Sequence, residues 1–93
     1  MTIRSYRSKA LRRFAEAGDA SKLSVKHVDR VRRILDMLER ARQPRDMDAP
    51  GLRFHFNKHW EGGRFAVWVS DNYRITFAWR DGAAEDVDLE DYH

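Results

Sequence analysis

Cysteine is missing altogether from the 93 residues, proline occurs only twice, and glycine five times. Without cysteine there can be no disulfides and no thiolate metal ligands, which fits a reducing compartment. No run of 18 apolar residues occurs, so no membrane-spanning helix is expected, and the opening Met1-Thr2-Ile3-Arg4-Ser5-Tyr6-Arg7 lacks an apolar signal core. A cytoplasmic protein with no membrane partner is the expectation. Internal repeats and low-complexity segments are absent as well. A chain this short buries only about 60–65% of its unfolded surface, enough for one two-layer core and a single domain over residues 1–93.

What the chain does have is charge, unevenly placed. The net charge is only +3, yet residues 1–45 hold 13 Lys or Arg against 5 Asp or Glu, while residues 46–93 hold 5 against 10. The basic half carries Arg12-Arg13, Arg30, Arg32-Arg33, Arg40, Arg42 and Arg45. Such a surface suits a phosphate backbone, whose neutralisation releases counterions, or an acidic protein. Arginine-rich helix faces are also often simply solvated.

Hydrophobic periodicity divides the chain into helices first and strands after. Residues 3–6 suggest a short first strand. Ser8 can cap a helix carrying Leu11, Phe14 and Ala15, with Gly18-Asp19 as its stop. A longer helix is expected over 25–41 with Ser24 as its cap. Its residues Val28, Val31, Ile34, Leu35, Leu38 and Ala41 form one buried stripe, leaving Arg30, Arg32, Arg33 and Arg40 to solvent or a partner. Two or three turns are too few heptads for a coiled coil, so the stripe is core. The segment 45–51, ending in Pro50-Gly51, is the connection. Beyond it the period becomes two: strands are expected over 53–57, 64–70, 73–80 and 86–90, separated by Glu61-Gly62-Gly63, Asp71-Asn72 and Asp81-Gly82. The last two turns are short enough for tight hairpins. The fold class is therefore α+β, with two N-terminal helices on one face of an antiparallel sheet.

Alternation also predicts a site. If Phe54, Phe56, Ile75 and Phe77 face the helices, then Arg53, His55, Asn57, Arg74, Thr76 and Arg80 face the other way. Lys58 falls near the same rim, where parity no longer fixes its direction. The ending Asp91-Tyr92-His93 follows directly on a strand able to hold it still, although termini are commonly mobile. An exposed, concave, positive surface with His55, Lys58, Arg74, Tyr92 and His93 suits RNA cleavage without a metal. One group removes the ribose 2′-OH proton, another protonates the departing 5′-oxygen, and a cation neutralises the growing phosphoryl charge. Histidine suits proton transfer because its unperturbed pKa of about 6.5 lies near neutrality.

Bland readings stand beside this one. His55 and His59 are four apart, but on a strand and without a cysteine or a carboxylate trio they make no metal site, so neither metal nor cofactor is expected. His27 fits a helix surface. Of Trp60, Trp68 and Trp79, one or two belong to the core or cover its edge. Arg53, Asn57 and Arg80 contact substrate phosphate or only solvent. The acidic row Asp86, Asp88 and Glu90 fits a solvated strand face or a protein contact.

At these residues the chain resembles the HigB toxins of bacterial toxin–antitoxin systems, within the RelE/ParE superfamily, over nearly its whole length. The resemblance rests on Ile-Arg-Ser-Tyr-Arg-Ser-Lys-Ala-Leu-Arg-Arg-Phe followed by Gly18-Asp19, the arginine-rich helix, Pro50-Gly51-Leu52-Arg53, His55 with Lys58, the run from Val69 to Phe77, and the run from Val87 to His93. It implies a RelE-like fold and a ribosome-dependent endoribonuclease acting on mRNA in the ribosomal A site. It further implies a HigA-like helix-turn-helix antitoxin, with operator DNA contacted only through the toxin–antitoxin complex. By the same resemblance His55, Lys58, Asp91, Tyr92 and His93 match active-site positions, and Arg74 matches an arginine that stabilises the scissile phosphate. The chain departs from the family pattern where His59-Trp60 replace Gly-Asp after the lysine, and where Asp71 and Tyr73 replace Gly and Trp. The alternative is a ParE-like toxin that poisons DNA gyrase by binding, which has no need of His55, Lys58, Tyr92 and His93 on one face.

Overall fold

The computed structural model describes residues 3–60 and 62–91. Two helices come first, α1 (Lys9–Ala17) and α2 (Val28–Arg40), then a 3-10 turn (Pro44–Met47). Strands β1 (His55–Asn57), β2 (Arg64–Trp68), β3 (Tyr73–Arg80) and β4 (Ala83–Asp91) form one antiparallel sheet in the order β1-β2-β3-β4. This is the expected α+β arrangement.

Local chemistry sets the helix ends. Ser8 Oγ accepts the Leu11 amide at 3.1 Å, and Gly18, at φ +71°, closes α1 by donating its amide to the Phe14 carbonyl. The second helix begins three residues later than the sequence suggests. Its N-cap is His27, which makes no side-chain capping bond, and Val25 is instead buried in the lead-in to the helix. Val31, Ile34, Leu35 and Leu38 form the expected stripe and join Leu11, Phe14, Val67, Val69, Ile75, Phe77 and Val87 in one apolar cluster. Not every arginine outside the stripe is left to solvent. The Arg32 guanidinium lies 4.5 Å from the Phe14 ring centroid, and that of Arg30 lies 5.1 Å from the Trp68 ring.

The expected first strand at residues 3–6 is reduced to two isolated parallel bridges, Ile3 with Ala84 and Tyr6 with Val87. A bulge in β4 accounts for the gap: the register against β3 shifts between Thr76 and Ala78, and Asp86 sits at φ +52°. Aspartate tolerates this left-handed conformation better than most side chains. The Asp86 amide donates to Ser5 Oγ, so the N-terminal segment is fastened at the irregularity itself. Asp81 and Gly82 both have positive φ, as the two central residues of a type I′ hairpin require, while Asp71-Asn72 is closed by paired hydrogen bonds between Ser70 and Tyr73.

The strand limits also differ. β1 starts at His55 because Arg53 takes φ +48°, which is incompatible with an extended strand. β2 ends at Trp68 rather than residue 70, where the chain enters the Asp71-Asn72 turn. Phe54 stacks on Phe65 on the core side, whereas Phe56 meets Phe65 at a tilt of 44° and stays 52% exposed.

Candidate active site

Register places the outward-facing groups. Across the sheet His55 lies beside Ala66, Ala66 beside Thr76, and Thr76 beside Asp88; one pair further along, Trp68, Arg74 and Glu90 make a second row. At about 4.8 Å between strands, the His55 backbone is about 10 Å from that of Thr76 and about 14 Å from that of Asp88. The middle of this face is floored by small side chains. Ala66 and Thr76 are fully buried and Ala78 nearly so.

His55 is exposed, and its Nδ1 lies 3.1 Å from the Arg53 carbonyl oxygen. A carbonyl only accepts, so this contact requires a proton on Nδ1 and leaves Nε2 as the nitrogen that exchanges protons. Arg53 thus serves the site twice: its unusual backbone aims a carbonyl at the imidazole, and its guanidinium lies 4.8 Å from the Trp68 ring centroid. Arg74, half-buried between Trp68 and Glu90, lies two residues along the strand from the His55 row. Lys58 is exposed just past the other end of β1, so Arg74 and Lys58 flank His55 on opposite sides along the strands. Asp91, exposed, is the last described residue and pairs with Tyr73. Tyr92 and His93 lie outside the described residues.

Two expected substrate contacts have other engagements. Asn57 Oδ1 accepts the His59 amide at 2.9 Å, shaping the turn after β1. Arg80 is at the far hairpin, 3.0 Å from Glu85 and 3.9 Å from Asp86. The Arg4 guanidinium also reaches Glu85, at 2.6 Å, and hydrogen bonds from Arg4 and then Arg80 hold the Glu85 carboxyl below its ordinary pKa.

The surface is not uniformly positive, contrary to expectation. Asp88 and Glu90 share the face of His55 and Arg74 rather than forming a separate solvated row, while Asp86 is drawn off into the bulge. Desolvation, then the nearby Glu90 charge, pushes the Asp88 carboxyl above its ordinary pKa. Thr76, expected on an exposed face, is buried, and its hydroxyl is satisfied there by hydrogen bonds with Arg64 and Glu90. Arg64 itself is missing from the residues singled out by sequence. It is 3% exposed, with Nη2 donating to Thr76 Oγ1 at 3.0 Å and to the Asp86 carbonyl at 2.6 Å. Alternation gives its side, since Phe65, Val67 and Val69 face the core, but nothing local signals that a guanidinium there is buried.

A family model described as the RelE-like toxin of the type II toxin–antitoxin system HigB matches residues 4–93. The chain belongs to the HigB-like toxin family. It is 30% identical over 91 residues to a protein of Proteus vulgaris named Endoribonuclease HigB, covering 98% of this chain and 99% of that relative. A type II toxin implies a cognate antitoxin. In this HigB-like chain neither His59 nor Trp60 has positive φ; Gly62 and Gly63 supply the left-handed positions of the turn, at +85° and +110°. Among the described residues no three His, Asp or Glu side chains are grouped to hold a metal ion, and no helix is long and apolar enough to cross a membrane.

Proposed function

We propose that this HigB-like toxin is a ribosome-dependent endoribonuclease of the cytoplasm that cuts translated mRNA in the A site and so arrests protein synthesis. The observation that carries the reading is the His55 imidazole: tied at Nδ1 to the Arg53 carbonyl, it presents Nε2 on an outer sheet face shared with Arg74. His55 Nε2 takes the proton of a ribose 2′-OH, whose oxygen attacks the adjacent phosphorus. The bond to the 5′-oxygen breaks, leaving a 2′,3′-cyclic phosphate and a 5′-hydroxyl. His93 gives the departing oxygen its proton, and Arg74 and Lys58 offset the negative charge that grows on the phosphoryl oxygens. Tyr92 stacks on or positions a nucleotide, Asp91 orients its neighbours, and Arg53 contributes a cation beside the Trp68 ring. Asn57 and Arg80 act at the margin, since each already has an intramolecular partner. None of these steps calls on a bound catalytic metal; zinc-stripped and zinc-loaded protein are expected to cleave equally when the ribosome keeps its own magnesium.

The cognate antitoxin, in this reading, is a HigA-like helix-turn-helix protein, and operator DNA is contacted only through the complex. Induction in a bacterium with mapping of mRNA 5′ ends tests the proposal. Cuts within translated codons are expected. Intact mRNA together with inhibited gyrase would instead assign the chain to the ParE-like mode of poisoning by binding.

A further inference from the structure

Arg64, Thr76 and Glu90 form a hydrogen-bonded chain across β2, β3 and β4 on the outer sheet face, running from the Asn57–Arg64 pair through the His55 row to the Arg74 row. Its direction is fixed by chemistry. A guanidinium only donates, so Thr76 Oγ1 accepts from Arg64 and its own proton is committed to the Glu90 carboxylate. The same Arg64 Nη2 donates to the Asp86 carbonyl, at the bulge of β4. Arg64 therefore grips β4 at the bulge directly and, through Thr76, near the strand's end. Glu90 is the partner of Arg74 in the register and immediately precedes Asp91.

An arrangement of this kind carries a cost. Burying a guanidinium exacts a desolvation penalty of several kcal/mol per ion, and an apolar residue of similar volume commonly serves stability as well or better. The helix-packed face of the sheet is apolar, whereas this polar chain lies on the opposite face, next to the groups assigned to cleavage. Hydrogen bonds in such a low-dielectric setting are electrostatically stronger than in water.

We infer that Arg64, Thr76 and Glu90 are positioning residues for RNA cleavage, a partly buried relay that fixes Glu90 beside Arg74 and holds the end of β4 that carries Asp91. The inference rests on the proposed endoribonuclease reading and adds to it three residues that do not touch the substrate. A misplacement of about 1 Å at reacting groups costs on the order of 10²-fold in rate.

Single-turnover mRNA cleavage on programmed ribosomes, measured over a range of toxin concentration, separates the maximal rate from apparent binding. Thr76→Val keeps the shape and removes the hydroxyl; its maximal rate is expected to fall about 10²-fold with the half-saturating concentration little changed. Thr76→Ser restores the hydroxyl but not the methyl group, and is expected to recover most of the rate even if its melting temperature drops. Glu90→Met, which removes the acceptor at the end of the relay with little change in length, is expected to lose rate as Thr76→Val does and serves if that variant fails to fold. A folded Thr76→Val or Glu90→Met protein cleaving at the wild-type rate overturns the relay, as does Thr76→Ser losing as much rate as Thr76→Val. Wild-type protein that leaves mRNA intact would instead sink the endoribonuclease reading itself, so the two failures are distinct.

Discussion

Replacing Gly63 by alanine tests how the turn between β1 and β2 is held. Gly63 has φ +110°, and a Cβ added there would lie 2.7 Å from Phe56 Cζ and 2.9 Å from Cε1. Two penalties follow. A non-glycine residue held in so sparsely populated a backbone region costs about 1–3 kcal/mol. The steric conflict is met by a ring that is 52% exposed, so Phe56 can swing outward, giving up its contact with Phe65 at 4.8 Å; aromatic pairs of this kind contribute about 0.5–1.5 kcal/mol beyond area burial. The sum is about 1.5–4.5 kcal/mol, or a fall in Tm of about 6–36 °C at about 4–8 °C per kcal/mol for a small domain. Gly62 supplies the control: its φ is +85°, and nothing lies within 4 Å of an added Cβ. Gly62→Ala should therefore show the backbone penalty alone. Thermal unfolding followed by circular dichroism reads both variants. A Gly63→Ala protein melting with the wild type, or no lower than Gly62→Ala, would refute the reasoning, because either result removes the steric contribution from Phe56.

Three further outcomes are expected. Deleting Tyr92-His93 should leave the circular dichroism spectrum and antitoxin binding nearly unchanged while abolishing growth arrest on induction; persistent toxicity would take those residues out of the site. Asp88→Asn should raise Tm at neutral pH, since the folded protein holds the Asp88 carboxyl above its ordinary pKa and ionising it opposes folding; the native state keeps a proton there that the unfolded chain releases, so the advantage should shrink as pH falls through that raised value. Arg4→Ala should move the Glu85 carboxyl back up toward its ordinary value in an NMR titration. The stabilisation lost is present above the ordinary carboxylate pKa and disappears as pH falls through the depressed one, so wild type and variant should converge in acid.

Much of this was legible in the sequence because it depends on near neighbours along the chain. The stripe from Val31 to Leu38, the Ser8 and Gly18 caps, the strand from Tyr73 to Arg80 and the Asp81-Gly82 turn each follow from periodicity or from one residue's backbone preference. Other features depend on residues distant in sequence. The bulge at Asp86 shifts which residues of β4 face outward, and it is fastened by Ser5, 81 residues away. The burial of Arg64 needs Thr76 and the Asp86 carbonyl, across two strands. Parity gave the outer face with His55 and Arg74, but not the carboxylates of Asp88 and Glu90 upon it, nor the engagement of Arg80 with Glu85. The start of α2 was misplaced because Ser24 is a good cap by type, while core burial of Val25 decides against it.

The central claim is that His55, through Nε2, transfers a proton in cutting ribosome-bound mRNA. Its most direct test is single-turnover cleavage on programmed ribosomes as a function of pH, comparing wild type with His55→Ala. A loss of about 10²–10⁴-fold in rate is predicted for the variant, the range typical of one general acid or base, with the folded spectrum kept at every pH tested. A folded His55→Ala protein that cleaves at the wild-type rate with an unchanged pH profile would contradict it.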